Sequence, residues 1–91
     1  MYIHIGNEKL VKSEDVIGIF DLDNTTVSKR TREFLRKAEK NGEAETVSFD
    51  LPKSFVVCKE ANNEKQKVYI SQLSVATLEK RSRYIETLQE E

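Results

Sequence analysis

The chain is 91 residues long, and its 15 Lys+Arg against 16 Asp+Glu leave a formal charge of −1. That length holds one domain with a modest core, and the near cancellation of sign argues against a bulk polybasic nucleic-acid binder and against an acidic solubilising tail. One cysteine, Cys58, rules out an internal disulfide framework and a cysteine-based zinc ribbon; with no long apolar run and no signal-peptide pattern, a soluble cytoplasmic protein is expected.

Residues 2–5 (Tyr-Ile-His-Ile) are rich in β-formers, Gly6 and Asn7 form a turn signal, and Leu10 to Lys12 continue beyond it. This opening predicts a tight hairpin. Residues 16–21 (Val-Ile-Gly-Ile-Phe-Asp) form a continuous apolar run and predict a central strand, with Gly18 marking a bulge or a close backbone approach. Asp23, Asn24, Thr25 and Thr26 then offer capping oxygens before a helix.

From Val27 to Lys40 the apolar positions are Val27, Phe34, Leu35 and Ala38, with Thr31 on the same stripe. That spacing predicts one buried helix face, ended by Asn41 and Gly42 because glycine enters the left-handed conformation without a Cβ clash. Residues 43–49 alternate, residues 50–53 contain Pro52 and read as a turn, residues 54–59 are a buried strand, and residues 68–71 return from a polar loop. Three strands so joined predict an antiparallel meander. Ser74 then caps a C-terminal helix with Val75, Leu78, Ser82, Ile85 and Leu88 at helical spacing. The reading is a single α+β domain over 1–85, a small mainly antiparallel sheet with one mid-chain helix and one C-terminal helix. Residues 86–91 are left to fray or to serve a partner.

Charge is unevenly placed. Residues 1–28 carry two Lys against five acids, residues 29–40 six basic groups against two acids, residues 41–66 three against five, and residues 67–91 four against four. The positive charge therefore concentrates on the mid-chain helix, and such a local field attracts phosphate even on a neutral molecule. Lys29, Arg32, Arg36, Lys37 and Lys40 lie away from the Phe34/Leu35 stripe, with Arg30 at its flank. One reading is a phosphate-contacting surface. The plainer one is a solvated face whose Arg32 and Arg36 are partly balanced by Glu33 and Glu39.

Residues 19–26 carry a hydrophobic-Asp-x-Asp-x-Thr series that resembles the first motif of the haloacid-dehalogenase phosphatases. There a nucleophilic Asp and an acid/base Asp share Mg²⁺, roles that would fall on Asp21 and Asp23. Further β-α units and a later paired-Asp segment are missing, so the motif reads as strand end and helix approach. His4, the single histidine, alternates with Ile3 and Ile5 and belongs on the polar strand face. Cys58 reads as a small hydrophobe. No cofactor or metal is expected.

The ordered series from residues 2–6, 16–20, Phe34/Leu35, 52–57 and 68–74 to Thr77, Leu78 and Arg81 resembles the RemA/RemB family of extracellular-matrix regulatory proteins of Firmicutes, the RemB branch more closely. It covers residues 1–83. The resemblance implies a regulator of matrix (biofilm) genes and not an enzyme, a DNA-binding protein that assembles into a ring-shaped homo-oligomer with DNA bent around its basic surface. In the RemA branch the turn before the Phe-Val-Val strand is arginine-rich, and a basic residue precedes the residue-16 strand. Those positions here are Asp50, Leu51, Lys53 and Asp15, so only Lys53 keeps the charge, and a carboxylate facing a phosphate repels it.

The expected DNA contacts are therefore Lys29, Arg30, Arg32, Arg36 and Lys53, all to phosphate, with sequence preference coming from DNA shape or symmetry. The alternative is a protein-interaction module that oligomerises with a RemA-like partner and touches no DNA. Neither reading involves a membrane.

Overall fold

The structure is a computed structural model and describes residues 2–22, 28–48, 50–60 and 64–81. Its elements run β1 (Tyr2–Gly6), β2 (Lys9–Lys12), a single 3-10 turn at Ser13–Asp15, β3 (Val16–Asp21), α1 (Lys29–Lys40), β4 (Ala44–Thr46), β5 (Ser54–Cys58) and β6 (Lys67–Ser71). A helical run over 75–81, α2, reaches the last described residue. The six strands divide into a two-stranded sheet, β1-β2, and a four-stranded sheet in the order β3-β5-β6-β4. This is the expected α+β class with its mid-chain and C-terminal helices.

The opening hairpin forms as the turn signal predicts. Asn7 and Glu8 sit at φ 44 and 68, the two positive angles that a tight two-residue turn needs to match strand twist. The His4 ring steadies it, since Nε2 accepts the Glu8 N–H at 3.0 Å. Ile3, Ile5 and Val11 alternate onto the buried face, and His4 is exposed as expected.

Helix α1 begins at Lys29 with Ser28 as its cap, whose Oγ accepts the Thr31 N–H at 3.1 Å. The sequence pattern alone predicts a start at Val27 with the cap among Asp23, Asn24, Thr25 and Thr26. Those five residues lie outside the described ones, and Ser28 takes the capping role. At the other end Glu43 N–H reaches Ala38 O at 2.8 Å and Gly42 N–H reaches Glu39 O at 3.1 Å. With Gly42 at φ 71 this pair satisfies carbonyls the helix would otherwise leave open. In the same way Ser74 caps α2, accepting the Thr77 N–H at 3.2 Å. Ser82, Ile85 and Leu88 lie outside the described residues.

The meander is not what forms. Strands β3-β5 and β5-β6 pair antiparallel, but β4 pairs parallel to β6 along Ala44↔Val68, Glu45↔Tyr69 and Thr46↔Ile70. Strands β3 and β4 therefore run the same way at opposite edges, and α1 crosses the sheet face between them. The β5-β6 hairpin is the insertion that fills the middle. Strand β3, expected to be central, is an edge strand. Strand β4 covers three residues rather than the expected 43–49.

Position in the sheet explains burial. Strand β5 is buried at all five residues because both its faces are covered. Phe55 and Val57 point with Val68, Ile70 and Ala38 toward α1, while Val56 and Cys58 meet Ile3, Ile5 and Leu78 on the other face. The sheet is thus held between α1 on one side and the β1-β2 hairpin with α2 on the other. Two fully buried serines join the layers: Ser71 Oγ donates to Ile5 O at 2.6 Å, and Ser54 Oγ donates to Leu73 O at 2.7 Å.

Candidate nucleic-acid interface

Helix α1 turns Phe34, Leu35 and Ala38 onto Phe55, Val57 and Val68. That packing sets which residues face outward. Lys29, Arg30, Arg32, Arg36, Lys37 and Lys40 are all exposed. At 100° per residue, Lys29, Arg36 and Lys40 fall opposite the packed stripe, Arg30 and Lys37 on the flank beside Phe34, and Arg32 on the flank beside Leu35. Lys29 to Lys40 spans about 16 Å along the axis at ~1.5 Å per residue.

Electrostatics sharpens the picture. No ion pair joins any of these six cations to a carboxylate among the described residues. Between Arg32 or Arg36 and Glu33 or Glu39, which the spacing brings to one side, no ion pair closer than 4 Å forms. The first turn of α1 holds no acid, while Lys37 and Lys40 lie in its last turn. The helix dipole favours cations at the carboxyl end and disfavours them at the amino end by a few tenths of a kcal/mol each on an exposed surface. Lys29, Arg30 and Arg32 are thus placed against helix stability, which a purely structural face would not require.

Lys53, the remaining expected contact, stands apart from this row. It lies on the stretch entering β5, where its N–H donates to Ser71 O at 2.9 Å and its carbonyl accepts from Leu22 N–H at 2.8 Å. Its side chain is exposed. Asp50 and Leu51 are exposed on the same stretch, Asp50 with its N–H on Ser48 Oγ at 3.1 Å. Asp15 is at the opposite end of the sheet, where its carbonyl accepts from Lys59 N–H at 2.8 Å. The length of β3 separates the two, about 20 Å at ~3.4 Å per residue, so one protomer does not gather these positions into one patch.

Two concavities were not foreseen. A polar cleft of about 460 Å³ lies between the hairpin and the sheet and includes Tyr2, Lys9, Lys12, Asp15, Glu45 and Tyr69. Lys9 Nζ is 3.4 Å from Glu45 Oε2 and 4.9 Å from the Tyr69 ring centre, and Lys67 Nζ is 3.9 Å from Glu45 Oε1. Burial raises the Tyr69 phenol above its ordinary value, against the opposing pull of Lys9. Cys58 forms part of the cleft floor; burial, aided by the Asp15 carboxylate, pushes its thiol up to about 11. A thiol held protonated is a poor nucleophile and metal ligand, as the sequence reading of Cys58 expects.

The second concavity is an apolar groove of about 350 Å³ beside α1, between Ile17 and Phe20 of β3 and Phe34 of α1, floored by Phe55 and Val57 and rimmed by Arg30. Phe20 stacks on Phe55 with ring centres 4.9 Å apart, and Phe34 tilts against it at 6.1 Å. The signal for this groove was in the sequence: residues 16–20 are apolar in both alternation phases. A central strand covered on both faces shows the same composition, so the run alone does not reveal the groove.

Asp21 ends β3 on the exposed edge of the sheet, and Asp23 lies outside the described residues. Among the described residues no group of three or more His, Cys, Asp or Glu could hold a metal ion, and no helix is long and apolar enough to cross a membrane.

Comparison with curated proteins finds Extracellular matrix regulatory protein B of Bacillus subtilis (strain 168), 38% identical over 85 residues, which is 93% of this chain and 94% of that relative. The chain belongs to the extracellular matrix regulatory protein B family. No protein-family profile matches it. The ordered series of residues that suggested the family thus corresponds to a similarity running over nearly the whole chain.

Proposed function

We propose that this chain is a non-enzymatic regulator of extracellular-matrix gene expression that acts as a homo-oligomer through phosphate-directed DNA contact. The regulatory role follows the name of its relative. The observation that carries the DNA reading is the outward row of α1, six exposed cations without an ion pair among the described residues, three of them set against the helix dipole. Lys29, Arg30, Arg32 and Arg36 would lie along the phosphate backbone, with Lys53 adding a contact from the sheet end. Copies arranged around a ring would repeat this row, and repetition multiplies weak phosphate contacts by raising effective concentration. Such contacts carry no base information, so site preference would come from DNA shape.

A salt titration of duplex binding tests this. Each phosphate contact contributes about 0.9 to the slope of log affinity against log salt. The double variant Arg32→Glu/Arg36→Glu should flatten the slope by about 2 for each protomer engaged and weaken binding to all sequences alike. An intact oligomer with no duplex binding at low salt would overturn the DNA reading. It would leave the second reading, a protein-interaction module that pairs with a RemA-like paralogue, which the exposed apolar groove favours.

A further inference from the structure

The groove beside α1 is the least settled surface of the molecule. Ile17 is 60% exposed and Phe20 46% exposed, and both stand on β3, which among the described residues pairs with β5 on one side only. An apolar edge strand with a free row of backbone N–H and C=O groups is a surface that proteins normally cover or break with charge. Among the described residues the one charged side chain lining the groove is Arg30, on its rim, with Lys37 on the same helix flank. Whatever covers the groove should therefore be apolar toward Phe20 and Phe34 and acidic toward α1.

The chain contains one such segment. Residues 82–91 carry Tyr84, Ile85 and Leu88 at helical spacing, together with Glu86, Glu90 and Glu91 against the single Arg83. Its net charge of −2 opposes the +4 of residues 29–40. Tyr84 and Ile85 fall short of the groove of their own protomer. Arg81 Nη1 donates to His4 O at 2.7 Å, which ties the end of α2 to the hairpin side of the sheet, while the groove opens on the α1 side. Passing from one covering layer to the other means crossing about 20 Å, two layer spacings of ~10 Å each. Tyr84 and Ile85, three and four residues past Arg81, reach at most about 10–14 Å.

We propose that residues 82–91 of one copy seat Tyr84, Ile85 and Leu88 in the Ile17/Phe20/Phe34 groove of a second copy, with Glu91, on the flank of that stripe, toward the Arg30/Lys37 flank of its α1 and the segment's net negative charge set against the positive charge of that helix. The proposal rests on the homo-oligomer part of the function proposed above. The described end of α2 at Arg81 and the acceptor groove lie on opposite faces of the same sheet, so the contact is head-to-tail. Contacts of that type generate rings when the rotation closes and filaments when it does not. In such an assembly Arg30 passes from the phosphate row to the subunit contact, while Lys29, Arg32 and Arg36, away from that flank of α1, stay open to phosphate.

The test uses the full chain with point substitutions, followed by sedimentation velocity. Ile85→Asp/Leu88→Asp spoils the donor, and Ile17→Asp spoils the groove at an exposed position. Each should weaken self-association by about tenfold or more, leaving a folded monomer by circular dichroism. Mixing the two variants should then restore association as far as a dimer and no further, because one intact donor meets one intact groove. If the parent chain associates and both variants associate equally well, this inference fails and the homo-oligomer reading stands. Loss of association by Ile17→Asp alone, with Ile85→Asp/Leu88→Asp still associating like the parent, indicates β3-to-β3 pairing and also overturns it. A parent chain that is monomeric overturns both.

Discussion

Replacing Ser71 with alanine should cost this fold a large share of its stability. Ser71 is fully buried, and its hydroxyl donates to Ile5 O at 2.6 Å and accepts from Leu73 N–H at 3.0 Å. Ile5 is skipped in the β1-β2 register, where the pairing shifts between His4 and Gly6, so Ser71 supplies a partner at the irregularity. Ser71→Ala removes one oxygen, a negligible volume, and orphans both groups. An unsatisfied buried polar group costs about 1–3 kcal/mol; with Leu73 only half-buried, the sum comes to about 2–4 kcal/mol. For a chain of this size each kcal/mol lowers Tm by about 4–8 °C, so the drop should be about 8–32 °C. Thermal unfolding followed by far-ultraviolet circular dichroism reads it. Ser54→Ala, which loses the bond to Leu73 O at 2.7 Å, should combine with it non-additively because the two hydroxyls hold the same turn. A fall in Tm of less than about 3 °C for Ser71→Ala would refute the argument that this hydroxyl fastens the hairpin to the sheet.

The groove and the cleft make further outcomes testable. A Cβ at Gly18 would stand 2.7 Å from the Phe20 ring. Gly18→Ala should therefore push Phe20 off Phe55, losing a stack worth about 0.5–1.5 kcal/mol while gaining about 0.5–1 kcal/mol from the lower entropy of alanine. Aromatic cross-peaks between Phe20 and Phe55 should vanish in nuclear magnetic resonance spectra with little change in Tm; their survival would show that the ring has another way to fit. Cys58 has its thiol raised from 9.0 to about 11 in the folded protein. Above pH 9 the unfolded chain loses this proton first, so folding stability should fall as pH rises toward 11 and be unaffected by this group below 9. Subtracting the curve of Cys58→Ala isolates the effect, and parallel curves across that window would contradict it. Asp15→Asn should narrow the window by lowering the thiol, measured as faster alkylation at mildly alkaline pH.

Much of what is local was legible without the fold. The hairpin, α1 with its inward Phe34, Leu35 and Ala38, the glycine stop at Gly42, the Ser74 cap and the exposed cations all depend on neighbours within about four residues, where periodicity and capping chemistry act. Strand partnership does not. Nothing in residues 43–49 distinguishes pairing with β5 from pairing with β6, because the alternation that buries one face is the same in either arrangement. The choice is made by α1, which carries the chain across the sheet and delivers β4 to its far edge. The apolar run of residues 16–20 is ambiguous for a similar reason: a strand covered on both faces and an edge strand beside an exposed groove show the same composition.

The opening charge balance illustrates the same division. The sequence by itself determined that positive charge concentrates on one amphipathic helix and that the total nearly cancels, since both are sums over residue types. Only the tertiary structure decided that this helix lies across a sheet with its cations unpaired among the described residues, that Asp15 and Lys53 fall at opposite ends of β3, and that Ser54 and Ser71 are buried fasteners. Those facts depend on which distant segments meet, and a meeting of distant segments is set by packing of the whole chain rather than by any pattern along it.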